Sequence, residues 1–489
     1  DTVLPESTRH ARDADMILGD NGNIQRLVGI NGIDGGNLLT FAYDNYDAAA
    51  KIVVRAATLL DYTSGGHDFD PANAANDIGA GDVIHGESGD DFIYGMVGND
   101  ILFGDAQDDD LIGGYGHDWI SGGTGSDGVL GDDGRIYTSR NTVGDDAIQL
   151  SEPLYGIGNI EVDRDSDTLE LRTPGDLQQA FVNKLGELKK SVNLTPFNVQ
   201  QDNGAQDPLY DAQYADDIIY GGLGGDFLHG GAGDDAISGA EALPEYYDAP
   251  VNNGNVLRYG EVRDGEFAAY DEFNPLRRIL VDDNGVHTTE VDPEAREFLL
   301  NFDAFDADAP VADGAGFDVV LTDGNDRIFG DLGNDWLVGG SGKDHLYGGR
   351  GDDLLNADDD HDTTSNSADP LANDLPDTHP SYEDIAFGGA GRDVLIANTG
   401  GDRLIDWVGE FNSYLVPFAP FGAFTISRSI QPQLMDYLYD LSEADGADQT
   451  RAADTGADAL RNGEPNGEIG LVMQKDFDWQ DQTGAPDDI

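Results

Sequence analysis

The sequence has no cysteine and very few cations. Of its 489 residues, 26 are Lys or Arg against 96 Asp or Glu, a formal net charge of −70. The missing cysteine excludes disulfide staples and thiol catalysis. It also suits a chain exported unfolded, in which no wrong disulfide can form. The shortage of cations excludes nucleic acid and anionic lipid as partners, since both demand a basic surface. No apolar run approaches the roughly 18 residues of a membrane span, and no basic-then-apolar leader opens the chain. It begins at Asp1 rather than Met and stops at Ile489, and is read as a processed chain or a piece of a longer one. There is no H-E-x-x-H zinc motif, no G-x-S-x-G elbow and no P-loop. Carboxylate pairs are everywhere, but no particular Asp/Glu pair stands out as a glycosidase pair.

What is present is aspartate. The acids comprise 77 Asp and only 19 Glu. Asp is the shorter carboxylate, suited to tight turns and calcium loops. Adaptation to high salt would scatter acids over a surface, whereas here many fall in register. Asp82, Asp91, Asp100, Asp109, Asp118 and Asp127 recur every nine residues. Two residues after each stands an aliphatic side chain (Ile84, Ile93, Leu102, Leu111, Ile120, Val129), and four after each a glycine (Gly86 to Gly131). The period returns at Asp217, Asp226 and Asp235, at Asp326, Asp335, Asp344 and Asp353, and at Asp384, Asp393 and Asp402. That makes sixteen repeats, and Asp15, Ile17 and Gly19 resemble one more.

The columns dictate a shape. The triplet around each aliphatic residue is a minimal strand with one side chain pointing inward. The Gly-rich hexad between triplets is a turn needing positive φ. One nonapeptide is then half a coil, and two make a coil of 18 residues. Asp82, Asp100 and Asp118 should share one edge, and Asp91, Asp109 and Asp127 the other. One inward side chain per nine ordered residues cannot offset the chain entropy, and stacked carboxylates add repulsion. Calcium, a hard cation taking 6–8 oxygens, reverses the balance. Folding and metal binding become one event. The candidate ligands are the sixteen aspartates and the carbonyls of turn glycines two residues before them: Gly89, Gly98, Gly116, Gly125, Gly224, Gly233, Gly333, Gly342, Gly351 and Gly391. On the order of ten to sixteen ions is expected. Gln107, Ala80 and Ala215 replace such glycines, so their turns should bind more weakly.

The hexads Gly113-Gly114-Tyr115-Gly116-His117-Asp118 and Gly230-Gly231-Ala232-Gly233-Asp234-Asp235 resemble the RTX (haemolysin-type) calcium-binding nonapeptide. The resemblance covers about a third of the chain. It implies a mainly β protein of right-handed parallel β-rolls with calcium between successive turns. It also implies export through a type I secretion channel while calcium-free, and folding outside the cell.

The chain divides accordingly. Residues 1–22 are the end of an upstream roll turn, 23–75 a capping β insert, 76–133 the first roll block and 134–212 an α+β insert. Residues 213–240 form the second block, 241–313 another α+β insert and 314–406 the third block, with an acidic loop at 357–380. Residues 407–489 are an aromatic-rich cap or interface segment. The phrases Leu18-Gly19-Asp20-Asn21-Gly22 and Leu130-Gly131-Asp132-Asp133-Gly134 read as exit turns into capping strands. Lys51-Ile52-Val53-Val54 and Thr168-Leu169-Glu170-Leu171 read as strands. Leu177, Phe181, Leu185, Leu188 and Val192 follow helical spacing, weakened by Gly186. Phe298 to Phe302 fit either helix or strand. Asp358, Asp359, Asp360 and Asp362 form either a further calcium site or a solvated loop. Trp407, Phe411, Tyr414, Phe418, Phe421, Phe424, Tyr437 and Tyr439 suit a cap on the last coil or a subunit interface. His85, His117, His229 and His345 are assigned to the roll surface.

These features point to an extracellular or cell-surface calcium-binding structural protein, part of a surface layer, filament or large adhesin, whose partners are calcium and other copies or modules. It is expected not to be an enzyme. Two other readings are a secreted hydrolase or toxin using the rolls as an export module, and a calcium-gated ligand-binding module with its site between inserts and roll.

Overall fold

The computed structural model describes residues 14–26, 78–139, 214–242, 249–254, 324–357, 384–397 and 402–407. It also describes 40–41, 52–53, 55–60, 62, 161–162, 171–172, 189–194, 247, 280–281, 287–288, 296–297, 310–312, 318–320, 413–415, 425–427 and 469–473. The named elements among these residues are all strands, and Tyr247 alone is helical.

The nonapeptide period produces two facing parallel sheets, entered alternately by successive repeats. The first sheet runs Met16–Leu18, Phe92–Val97, Asp110–Tyr115, Gly128–Leu130, Phe227–Ala232, Arg327–Leu332, His345–Arg350, Ile385–Ala390 and Arg403–Trp407. The second runs Val83–His85, Ile101–Phe103, Trp119–Gly125, Ile218–Gly224, Ala236–Ser238, Trp336–Val338, Leu354–Asn356, Val394–Ile396 and Ser413–Leu415. Within a block the register offset is one coil, as in Val83 opposite Ile101 and Phe92 opposite Asp110.

Across the inserts the register is kept. Trp119 pairs with Ile218, Gly128 with Phe227, Phe227 with Arg327 and His345 with Ile385. The three blocks therefore build one parallel β-roll, and each insert is a long excursion from a single turn. Met16–Leu18 joins it by pairing with Phe92–Tyr94, which makes the Asp15 repeat a true rung. At the other end Tyr414 takes the inward column opposite Leu395. Antiparallel strands Ile469–Met473 and Thr425–Ser427 then finish the first sheet.

The core between the sheets is the aliphatic ladder. Ile93, Leu102, Leu111, Ile120, Val129, Ile219, Leu228, Ile237, Ile328, Leu337, Leu346, Leu355, Leu395 and Leu404 form one cluster with no solvent exposure, and Ala386 fills the one small rung. Parallel sheets carry apolar residues on both faces when both are covered, and among the described residues two insert ribbons cover part of the first sheet's outer face. The exit phrases lead into antiparallel ribbons, Gly22–Arg26 with Arg55–Leu59 and Gly134–Ser139 with Lys189–Leu194. These lie against the roll's flank: Ala57, Ile136 and Leu194 pack on the outward residues Met16, Phe92, Tyr94, Ile112 and Leu130. Val192 stands in the second ribbon opposite Ile136, so the expected helix does not extend to it. The β-branched Val and the nearby Gly186 both favour this outcome. Leu177, Phe181, Leu185, Leu188, residues 298–302, Asp358 to Asp362, and Phe411, Phe418, Phe421, Phe424, Tyr437 and Tyr439 lie outside the described residues.

Candidate metal centre

The aspartates stack into two columns, one on each edge of the roll. Asp82 donates its backbone N–H to Asp100 Oδ1 at 2.7 Å, and the chain of donation continues through Asp118, Asp217, Asp235, Asp335, Asp353 and Asp393 at 2.8–3.0 Å. The other column runs from Asp15 through Asp91, Asp109, Asp127, Asp226, Asp326, Asp344 and Asp384 to Asp402. All sixteen repeat aspartates are thus brought together edge by edge, as the 18-residue coil demands.

One carboxylate oxygen of each repeat aspartate from Asp91 onward therefore clamps its coil to the coil before it. The second oxygen is the informative one. In Asp91, Asp100, Asp109, Asp118, Asp127, Asp217, Asp226, Asp235, Asp335, Asp344 and Asp353 the Oδ2 atom is buried and has no hydrogen-bond partner. It faces a small cradle of backbone. A β-carbon placed on Gly86 would lie 2.6 Å from Asp91 Oδ2 and 2.7 Å from the Gly104 carbonyl oxygen. The same pairing of an Asp Oδ2 with the next coil's glycine carbonyl recurs at Gly95, Gly104, Gly113 and Gly122, and at Gly131, which faces Asp217 across the 134–212 insert. A buried anionic oxygen opposite a carbonyl oxygen, with no donor between them, is unfavourable unless a cation sits there.

The electrostatics agree. Burial pushes the carboxyls of Asp91, Asp100, Asp226, Asp344 and Asp393 up to about 7. Burial, reinforced by neighbouring column carboxylates, raises Asp109, Asp118, Asp217, Asp335 and Asp353 well above the ordinary range. Such a stack needs positive charge, and the chain supplies little of it. Lys190 is one supply: from the second ribbon it reaches Asp110 Oδ1 at 2.7 Å and the Asp109 carbonyl at 2.9 Å. Burial opposes its charge, but the Asp110 pair prevails and raises its pKa.

The turn glycines hold the coils close. Gly89, Gly98, Gly125, Gly224, Gly233, Gly333, Gly342, Gly351 and Gly391 have φ between 125° and 156°. A β-carbon at Gly116, Gly224, Gly333, Gly351 or Gly391 would overlap the carbonyl of the corresponding glycine one coil earlier, Gly98, Gly125, Gly233, Gly333 or Gly351. Gln107 takes the left-handed conformation at φ 83°, and its side-chain Oε1 accepts from Gly89 N at 3.0 Å.

Two features escape the sequence reading. The first is the glycine column itself, Gly86 to Gly131 and its later equivalents, which faces the free Asp oxygens. It was legible as a column but not as part of the cradle. The second is a ladder formed by residues just before the aspartates. Asp108 N donates to Asp90 Oδ1, Ser126 N to Asp108 Oδ1, Asp234 N to Asp216 Oδ1, Asn334 N to Asp234 Oδ1 and Asp352 N to Asn334 Oδ1, at 2.9–3.2 Å. Its signal is the excess of Asp and Asn one place ahead of the repeat aspartate. One assignment needs correction. His229 is not on the surface: it is buried, bonds Asp331 Oδ2 at 2.8 Å, and burial lowers its pKa to about 3.

Among the described residues no three His or carboxylate side chains converge in an ordinary metal cluster. The oxygens come instead from one carboxylate per half-coil and from backbone carbonyls, a donor set that suits a hard cation such as calcium. The fold and site thus define a parallel β-roll with cation-demanding turns. A family model agrees: RTX calcium-binding nonapeptide repeats match at 79–111, 103–135, 212–241, 311–337, 320–355, 329–363 and 381–405. The chain carries RTX repeats over these stretches, about a third of its length, and such repeats bind calcium ions. No curated protein matches the chain.

Proposed function

We propose that this chain is a calcium-hardened extracellular rod, a structural part of a surface layer, filament or large adhesin. The observation that carries this reading is the continuity of both aspartate columns through the inserts, with Asp118 bonded to Asp217 and Asp127 to Asp226. A series of export tags needs no common register, whereas a load-bearing rod does. The repeat aspartates, with the turn-glycine carbonyls, hold on the order of ten to sixteen calcium ions. The rods fold after calcium-free export, and the inserts and the 407–489 segment contact other copies or modules. Repeats of this kind are binding and scaffold modules rather than catalytic ones.

The test is size-exclusion chromatography with light scattering, in millimolar calcium and then in chelator. Calcium should convert an expanded monomer into large regular assemblies. A calcium-loaded chain that compacts but stays monomeric at all concentrations contradicts self-assembly and leaves a monomeric spacer.

A further inference from the structure

The outward face of the second sheet is apolar along most of its length. Ile218, Tyr220, Ala236, Trp336, Val338, Leu354 and Ile396 are all buried. At the start of the roll this cover is incomplete. There Val83 is 66% exposed, and Ile101 is half-buried beside it. A cavity of about 530 Å³ lies over these two residues.

Its walls come from two directions. On the roll side, His85 and Phe103 stand as parallel plates, ring centroids 4.3 Å apart and 5° from coplanar. On the other side, the start of the third insert folds back toward the first block. Tyr247 packs beside Phe103 and edge-on to Trp119, and its hydroxyl shares a 3.0 Å hydrogen bond with Ser121 Oγ. Asn252 ties the same segment to the roll by donating to the carbonyls of Asp118 and Asp216, both at 2.8 Å. The wall is therefore fixed to the calcium-binding edge.

Among the described lining residues the carboxylates set the charge. Asp105 and Glu241 line it, and no Lys or Arg does among the described residues. Asp105 is held in place by His85 Nδ1 at 3.1 Å and the Glu87 N–H at 3.1 Å, at a left-handed φ of 70°. An apolar floor, aromatic walls and two carboxylates reject anions and favour a cation with an apolar body. The chain's net charge of −70 raises the local concentration of such ligands further. We propose that this cavity is a binding site for a small amphipathic organic cation, its apolar body on Val83 and Ile101 and its ammonium between Asp105 and Glu241. This goes beyond the scaffold reading and does not depend on assembly.

The test uses the full chain in saturating calcium, with 2-phenylethylammonium as probe and 2-phenylethanol, phenylacetate and ethylammonium as controls, by calorimetry and ligand-observed NMR. The amine should bind saturably at one site per chain. The neutral isostere and the body-less ethylammonium should bind roughly tenfold or more weakly, and the anion not at all. Glu241→Gln and Val83→Lys, the latter at an exposed position that leaves the fold intact, should each cost roughly tenfold in affinity. Asp105→Asn, which tolerates the left-handed backbone, should do the same. Circular dichroism in calcium verifies the fold of each variant. Equal binding of amine and alcohol, amine binding that ignores all three substitutions, or saturable binding of neutral saccharides without amine binding would each overturn the proposal.

Discussion

The first roll block and the later ones share both sheets but solve their turns differently. In residues 79–131, Glu87, Met96, Asp105 and Gln107 adopt positive φ of 72°, 86°, 70° and 83°, alongside Gly89, Gly98, Gly114, Gly123 and Gly125. In 324–357 and 384–397 the equivalent turns use Gly333, Gly340, Gly342, Gly349, Gly351, Gly389 and Gly391, with Asp331 the exception. A left-handed backbone costs a non-glycine residue roughly 1–2 kcal/mol. The turn geometry is therefore imposed by the stacked coils, not by the residue that occupies it. The first block recovers something for its strain. Met96 is buried in the flank core, and Gln107 and Asp105 accept bonds from Gly89 and Glu87. The later blocks rely mainly on glycine, and their one non-glycine exception, Asp331, is likewise compensated, by its buried bond to His229 Nδ1 at 2.8 Å.

Several substitutions and conditions sharpen this contrast. The largest effect is expected from pH in the absence of calcium. Burial holds Asp91, Asp100, Asp226, Asp344 and Asp393 at about 7 in the folded chain, against an ordinary value of 3.8. A folded form that keeps protons the unfolded form releases is favoured below pH ~4 and loses that advantage progressively as pH rises to ~7. In chelator, compaction followed by far-ultraviolet circular dichroism should increase on acidification. In calcium the dependence should reverse, because protons compete for the ligands. Since these residues lie in all three blocks, a response confined to one block breaks the picture of a common column.

Next in size is the inner ladder. Leu228 is fully buried between blocks, and Leu228→Ala should cost about 2–5 kcal/mol in calcium-saturated denaturation. The loss should be shared by the first and third blocks if they are one cooperative roll. Gly349→Ala, at φ 106° with its β-carbon against the Asp331 carbonyl, should cost about 1–3 kcal/mol by the same assay. Smallest is the opposite exchange in the first block. Glu87 is exposed, and Glu87→Gly should raise the melting temperature slightly, by about 1 kcal/mol or less of stability. A stabilised Gly349→Ala or a destabilised Glu87→Gly would contradict the account of the turns.

Much of the roll was legible because its columns are strict. A residue every nine places fixes the coil length, the inner ladder and the sharing of edges, and Asp82, Asp100 and Asp118 stack as that arithmetic requires. Continuity across the inserts was not legible. Nothing local in Gly131 reveals that its partner is Asp217, since the return depends on the insert closing on itself through its ribbon. The burial of His229 was hidden for a related reason. An outward position on a strand is a surface only until another part of the chain covers it, and here Asp331 supplies the partner from a block 102 residues away. Val192 misled because five apolar residues at helical spacing do not reveal that the last of them pairs with Ile136.

The central claim is that one calcium-dependent roll runs through all three blocks. Amide hydrogen exchange during a calcium titration, read by mass spectrometry over residues 79–131, 214–242 and 324–397, tests it most directly. The account predicts rapid exchange in chelator and a joint gain of protection in all three regions over the same calcium range. Protection already complete in chelator, or blocks that gain it independently at separate calcium concentrations, would contradict it.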